Sequence, residues 1–243
     1  MVLQPIGYAG AGRPGGIPAW EATEPRQLAE APEYLLVTQP DHAALAGELA
    51  AALAAEWMPR LSPAAIAAIA AHDEGWRPFD TRPSFRPGAR PASFIEIPSP
   101  DFLAAWNASI EHAATLSPLA GAMVSRHFCR LLRGKPEDSA FDRFLAGEAE
   151  RRAALERGIT EPEIEALVDV LQFCDLLSLY LCCGATERTH FPQSFAGRTL
   201  EVMRSGEGYQ VSPWPFRERL RLEIPARRWP GLEAQAMFAS IEE

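Results

Sequence analysis

The sequence predicts a mainly α fold, a helical bundle with a small antiparallel β-sheet from the C-terminal segment and a short N-terminal strand. Three observations predict it. Apolar residues recur at three- and four-residue steps through most of residues 40–184, the period of helices with one buried face. Beyond about residue 195 the period drops to two, with Gly206 and Gly208 separating alternating segments. A short apolar, partly β-branched run, Tyr34-Leu35-Leu36-Val37-Thr38, stands ahead of the first helix.

Taken in order, residues 1–31 are rich in Gly, Pro and Ala without sustained period and read as an extension to a single domain over 32–243. Gly10-Ala11-Gly12-Arg13-Pro14-Gly15 formally matches a dinucleotide fingerprint. The context fails, because no strand precedes it and Pro14 and Pro18 interrupt the helix that should follow. Pro40-Asp41 opens an Ala- and Leu-rich helix reaching about Trp57. Pro63, with Ser62 as its cap, opens a second running to His72–Trp76. Prolines at 78, 83, 87, 91 and 98 make Arg77–Pro100 a long loop with one apolar insert at Phe94-Ile95, and loops of that length are commonly functional. Helical patterns follow over Asp101–Leu116, Pro118–Leu132, Asp138–Arg157 and from Glu161 to near Gly184. Leu200-Glu201-Val202, Tyr209-Gln210-Val211 and Leu220–Ile224 then alternate, which places the small β element within 195–230, with the run near Val37 as a candidate pairing partner.

Bulk properties narrow the function. A chain of 243 residues with 47% hydrophobic and 23% charged residues buries a substantial core. Its net charge of −9 argues against a general nucleic-acid binder, which needs a basic face. Cys129, Cys174, Cys182 and Cys183 lack metal-type spacing and read as buried thiols of a reducing compartment. No apolar run is long enough to span a membrane and no signal-peptide pattern opens the chain, so the expected location is cytoplasmic. Nucleophile-elbow and Walker motifs are missing, and His127 and Cys129 point to different sides of a helix. Arg217, Arg219, Arg221, Arg227 and Arg228 alternate with glutamates and read as a solvated sheet face.

What remains is a set of titratable residues on core-facing stripes. His42 aligns with Leu45, Leu49 and Leu53; His72 with Ile69 and Ala65; His127 with Ala120, Val124 and Leu131; Asp175 with Ile164, Val168 and Leu171. His112 lies on a mixed stripe with Ala105, Ser109 and Leu116. A lone histidine on such a stripe is commonly a hydrogen-bonded core residue, and a buried aspartate can pair with an arginine. A carboxylate buried alone is costly, and a metal ion shared with imidazoles answers several such burials together. Imidazole with carboxylate suits iron, manganese or zinc.

The order His42, His72-Asp73, Asp175, with Gly75 completing His-Asp-x-Gly, resembles the HD superfamily of helical metal-dependent phosphohydrolases over roughly residues 34–184. His112 and His127 resemble, in order, the extra histidines of its two-metal branches. Thr38-Gln39-Pro40-Asp41-His42-Ala43, His72-Asp73-Glu74-Gly75-Trp76, Cys174–Tyr180 and Pro213-Trp214-Pro215-Phe216 are similar to an uncharacterised bacterial family of the domain-of-unknown-function kind. The resemblance implies one or two divalent metals per chain, held by His42, His72, Asp73 and Asp175, with His112 and His127 for a second. It makes His72 and Asp73 the catalytic candidates, and the implied reaction is hydrolysis of a small phosphate ester or nucleotide. Arg77, Arg82, Arg86 and Arg90 are candidate phosphate contacts, with Trp76 and Phe94 as pocket walls. One departure is Trp76, which stands where many two-metal members keep a lysine. Alternatives of other classes are a di-iron oxygenase of the same helical type and a non-catalytic binding protein. The expected partner is a small-molecule substrate, without nucleic acid or membrane, and homo-oligomerisation stays open.

Overall fold

The computed structural model describes residues 1–6, 31–81, 91–133 and 138–243. Its helices are α1 (Gln39–Ala52), α2 (Pro63–Ala70), α3 (Arg77–Thr81), α4 (Ser99–Leu116), α5 (Pro118–Leu131), α6 (Ser139–Leu155) and α7 (Glu161–Cys182). The strands are β1 (Val2–Ile6), β2 (Glu33–Val37), β3 (Thr189–Phe195), β4 (Arg198–Ser205), β5 (Gly208–Ser212), β6 (Leu220–Trp229) and β7 (Glu233–Glu242). The fold is therefore mainly helical, with a C-terminal sheet joined by N-terminal strands. The Gly10–Gly15 match and Arg82, Arg86 and Arg90 lie outside the described residues.

Helix starts follow local chemistry. The first amides of a helix have no intrahelical acceptor, so short polar side chains cap them. Thr38 Oγ1 accepts from Asp41 N at 3.1 Å, Ser62 Oγ from Ala65 N at 3.2 Å, and Ser117 Oγ from Ala120 N at 3.0 Å. Each of these helices carries proline in its first two positions, where the missing N–H costs nothing. Thr160 and Glu163 form a reciprocal capping box ahead of α7. The sequence pattern extended the first two helices too far. α1 ends at Ala52, where Ala54 N and Ala55 N turn to Pro215 O at 2.9 and 3.1 Å. α2 ends at Ala70 and is followed by a 3-10 turn over Glu74–Trp76.

The sheet order is β1-β2-β6-β7-β5-β4-β3, antiparallel throughout except for the parallel pair β5·β7. The strand near Val37 pairs with the C-terminal sheet through Tyr34↔Trp229 and Leu36↔Arg227. Three strands reach beyond the alternating segments of the sequence. β1 falls within the stretch read as an extension and pairs Val2 with Val37. β3 alternates buried Thr189, Phe191, Gln193 and Phe195 with exposed His190, Pro192 and Ser194. Its edge position tolerates Pro192. β7 presents mostly small and polar residues and leaves Phe238 76% exposed, so its alternation is weak. The arginines at 217, 219, 221, 227 and 228 are all exposed.

α7 is the axis of the structure. Its buried side chains include Val168, Leu171, Phe173 and Leu177. Phe173 packs edge-on to Phe191 of the sheet with ring centroids 4.8 Å apart, while α1 and α5 cover other faces of the helix. Two glycines permit close approach. A Cβ on Gly47 would lie 2.5 Å from Ala70 Cβ, so glycine lets α1 and α2 nearly touch. A Cβ on Gly75 would meet Ala105 O at 2.1 Å and Ser109 N at 2.5 Å, so only glycine admits the α4 backbone there. Gly75 N donates to Ser109 Oγ at 2.9 Å, which ties the turn after α2 to α4.

Candidate metal centre

Four segments bring five ligand-type residues together: α1 supplies His42, the turn after α2 supplies His72 and Asp73, α5 supplies His127 and α7 supplies Asp175. All five are buried. They form two overlapping trios, His42–His72–Asp73 and His72–His127–Asp175, in each of which the ligand atoms lie within 4.8 Å of one another. The rings of His42 and His72 meet nearly at right angles with centroids 5.1 Å apart, and those of His72 and His127 are 5.4 Å apart.

The break after α2 makes the adjacent pair usable. Consecutive residues of a continuous helix project roughly 100° apart, so His72 and Asp73 could not both face one centre from within it. Here α2 stops and His72 Nδ1 donates back to Ile69 O at 2.7 Å. Both side chains then turn inward, and Gly75 and Ser109 hold the turn from behind.

Hydrogen bonding assigns the imidazole tautomers. Ser178 Oγ donates to Asp175 O at 2.8 Å, which uses its single proton, so His42 Nδ1, 2.8 Å away, is the donor to that oxygen. His72 Nδ1 is likewise fixed as a donor by the Ile69 carbonyl. The Nε2 atoms of both rings therefore face the carboxylates. His42 Nε2 lies 2.9 Å from Asp73 Oδ2. His72 Nε2 lies 3.4 Å from Asp175 Oδ1 and 3.7 Å from Asp73 Oδ2, and makes no hydrogen bond among the described residues. His127 Nε2 is 3.7 Å from Asp175 Oδ2, and its Nδ1 has no partner among the described residues. A lone pair aimed at a carboxylate is repelled unless a proton or a metal cation lies between them.

The electrostatics say the same. Burial pulls the His72 pKa down, but the charges of Asp73 and Asp175 outweigh it and raise the group to about 9. Burial lowers His127 to about 4, more than the Asp175 charge can offset. Burial also pushes Asp175 upward, yet His72 and then His127 hold it at about 2. The cluster is a buried anionic cage that demands a positive charge at His72. The Nε2 lone pairs of His42 and His72 facing carboxylates, with His127 as a third imidazole, fit a divalent metal, and the donor set suits iron, manganese or zinc. Metal–ligand bonds of about 2.0–2.2 Å require only modest closure of such trios.

The other sequence candidates fall elsewhere. His112 is exposed on α4 and stands outside both trios, because its stripe runs from buried Ser109 to Leu116, which is 48% exposed. Arg77 is exposed and pairs with Glu74 through both nitrogens of its fork, one of them at 2.8 Å. Trp76 is buried against Phe79 at 5.8 Å between centroids, with its Nε1 unpaired, and Phe94 is half-buried. Sequence reasoning assigned no role to Ser178 or Gln39. Both were within reach of it: Ser178 is three residues after Asp175, and Gln39 three before His42, on the same helix faces. Gln39 Nε2 donates to Asp73 Oδ2 at 3.2 Å. Asp80, which accepts the Met1 amine at 2.8 Å and Gln39 N at 2.5 Å, carried no local signal.

A buried His/His/Asp cluster consistent with an HD-type metal-binding site, set in a mainly helical fold, is thus what this structure defines. The chain belongs to the family described as "Protein of unknown function (DUF3891)", whose model matches residues 27–230. None of the curated proteins and none of the solved structures matches it. Among the described residues no helix is long and apolar enough to cross a membrane.

Proposed function

We propose that this protein is a metal-dependent hydrolase of the HD type that acts on a small phosphate ester or nucleotide. The observation that carries the reading is the pair of imidazoles, His42 and His72, locked with Nδ1 as donor and Nε2 turned onto Asp73 and Asp175. His72 belongs to both trios but has one free nitrogen, so a single ion reaching across both trios suits the cluster better than one ion in each. A divalent ion bound there supplies a water of lowered pKa and offsets charge on phosphoryl oxygens.

The chain's own residues do the rest. His42, His72, His127, Asp73 and Asp175 form the cage. A bound ion would take the place of the proton on His72, which would leave to solvent. Asp73 Oδ2 accepts from Gln39 and is the oxygen that His42 Nε2 and His72 Nε2 approach, so it would be the oxygen that helps hold the ion. His112 takes no part, and Arg77 reaches a substrate only by leaving Glu74.

Elemental analysis of protein purified without oxygen, combined with turnover of p-nitrophenyl phosphate and of nucleoside monophosphates, tests the reading. Metal-dependent release of phosphate that is lost in Asp73→Ala supports it. Two irons per chain with oxygen consumption would replace it with the oxygenase reading. Absence of stoichiometric metal would leave a binding protein without this chemistry.

A further inference from the structure

Gln39 is the first residue of α1, directly behind the metal cage, and only 2% exposed. Its backbone is fixed because its amide donates to Asp80 Oδ2 at 2.5 Å, and Asp80 is itself held by the Met1 amine at 2.8 Å. Its side chain is oriented too. The Asp73 carboxylate only accepts, so the end of the amide 3.2 Å from Oδ2 must be the NH2 group. The oxygen, Oε1, is buried and has no hydrogen-bond partner among the described residues. Buried acceptors are nearly always paired, so this one implies a donor that the described residues do not provide. Neighbouring imidazoles do not supply it: His42 Nδ1 is committed to Ser178 and His72 Nδ1 to Ile69.

We propose that Gln39 is a positioning residue of the metal centre: its NH2 holds Asp73 Oδ2, the oxygen that His42 Nε2 and His72 Nε2 approach, and so orients that carboxylate toward the ion, and its Oε1 accepts a hydrogen bond from a water, hydroxyl or amine brought in beside the ion. This rests on the metal reading above and narrows the incoming group to one that carries a donor. A bare anionic oxygen would be repelled from that position. The amide also accounts for a glutamine here rather than a glutamate, because a second carboxylate could not donate to Asp73.

The test uses the full chain loaded with Co(II), with wild type compared to Gln39→Met, which keeps the length of the side chain and loses both polar functions. Affinity is read by competition with a chelating dye and ligand field by visible absorption. The variant is expected to keep one site but bind about 10-fold or more weakly, as loss of outer hydrogen bonds to ligands does, and to show shifted d–d bands as Asp73 rotates. Equal affinity and identical bands overturn the proposal while the metal centre stands. Wild type that retains no Co(II) overturns the metal reading instead. A crystal structure of the zinc-loaded wild type is independent of whether the variant folds. A donor outside the chain within hydrogen-bond distance of Oε1 supports the proposal, whereas an Oε1 paired to the chain, or an Nε2 that has left Asp73, refutes it.

Discussion

The same two helices, α5 and α7, carry two polar clusters of opposite character. Arg126 and His127 are neighbours on α5. Arg126 points outward to Glu156 at 2.6 Å, to Glu161 at 2.7 Å and to Glu165, while Arg130, one turn on, takes Glu165, Asp169 at 2.6 Å and Gln172 at 2.9 Å. His127 points inward to the cage of Asp73 and Asp175. The outer network holds two cations among four carboxylates, and both guanidinium forks are taken up by them. The inner cluster is fully buried, yet it leaves His72 Nε2, His127 Nδ1 and Gln39 Oε1 unpaired among the described residues. Chain groups that satisfy one another serve to join helices. Groups that are buried at high cost and left unsatisfied fit a further partner, such as a metal ion or an ordered water.

Four outcomes would break or sharpen this contrast. Asp175→Ala strikes the inner cluster hardest. It leaves the imidazoles of His72 and His127 without their counter-charge, with an expected destabilisation of about 3–5 kcal/mol by denaturant unfolding and loss of bound metal by elemental analysis. Asp175→Asn, which keeps the shape, should retain more stability and still lose the metal.

Next is the pH dependence of the metal-free protein. The folded pKa of His72 is raised from 6.5 to about 9, so the stability it contributes is complete below 6.5 and is lost as pH rises through about 9. Unfolding of chelator-treated protein should weaken across that window. Metal-loaded protein should not, because the ion takes the place of the proton. Identical profiles with and without metal would contradict the cage.

Gly75→Ala drives a methyl group into the α4 backbone and is expected to cost about 1–3 kcal/mol, with metal affinity lowered because the turn that aims His72 and Asp73 shifts. An unchanged melting curve would show that the turn has room for a methyl group against α4. Arg126→Met, in the outer network, should cost about 1 kcal/mol, less at high salt, with metal content untouched. A loss of metal in this variant would mean that the two clusters are coupled and the contrast is false.

Much of the inner cluster was legible because it obeys local periods. The stripes through His42 and Asp175 bury as the three- and four-residue spacing requires, Thr38 and Thr160 cap the helices that carry them, and Ser62 caps the helix that ends just before His72. His127 and His112 could not be separated as cleanly. Both lie on partly apolar stripes, and the stripes of both end in exposed leucines, Leu131 and Leu116. The sheet was only half visible. β6 alternates strongly, whereas β7 gains its place from pairing with β6 over its whole length, since its own residues scarcely prefer a strand.

By itself, the sequence determined the ligand types, their order and the helix faces that bury them, because helical period and capping are properties of residues a few positions apart. Only the tertiary structure decided that His72 and Asp73 both turn inward and that His127 rather than His112 joins them. It also decided that Gln39, Ser178 and Asp80 stand behind the ligands. Those outcomes depend on where α4, α5 and α7 cross, and on a glycine that lets one backbone touch another, which are contacts between residues dozens of positions apart.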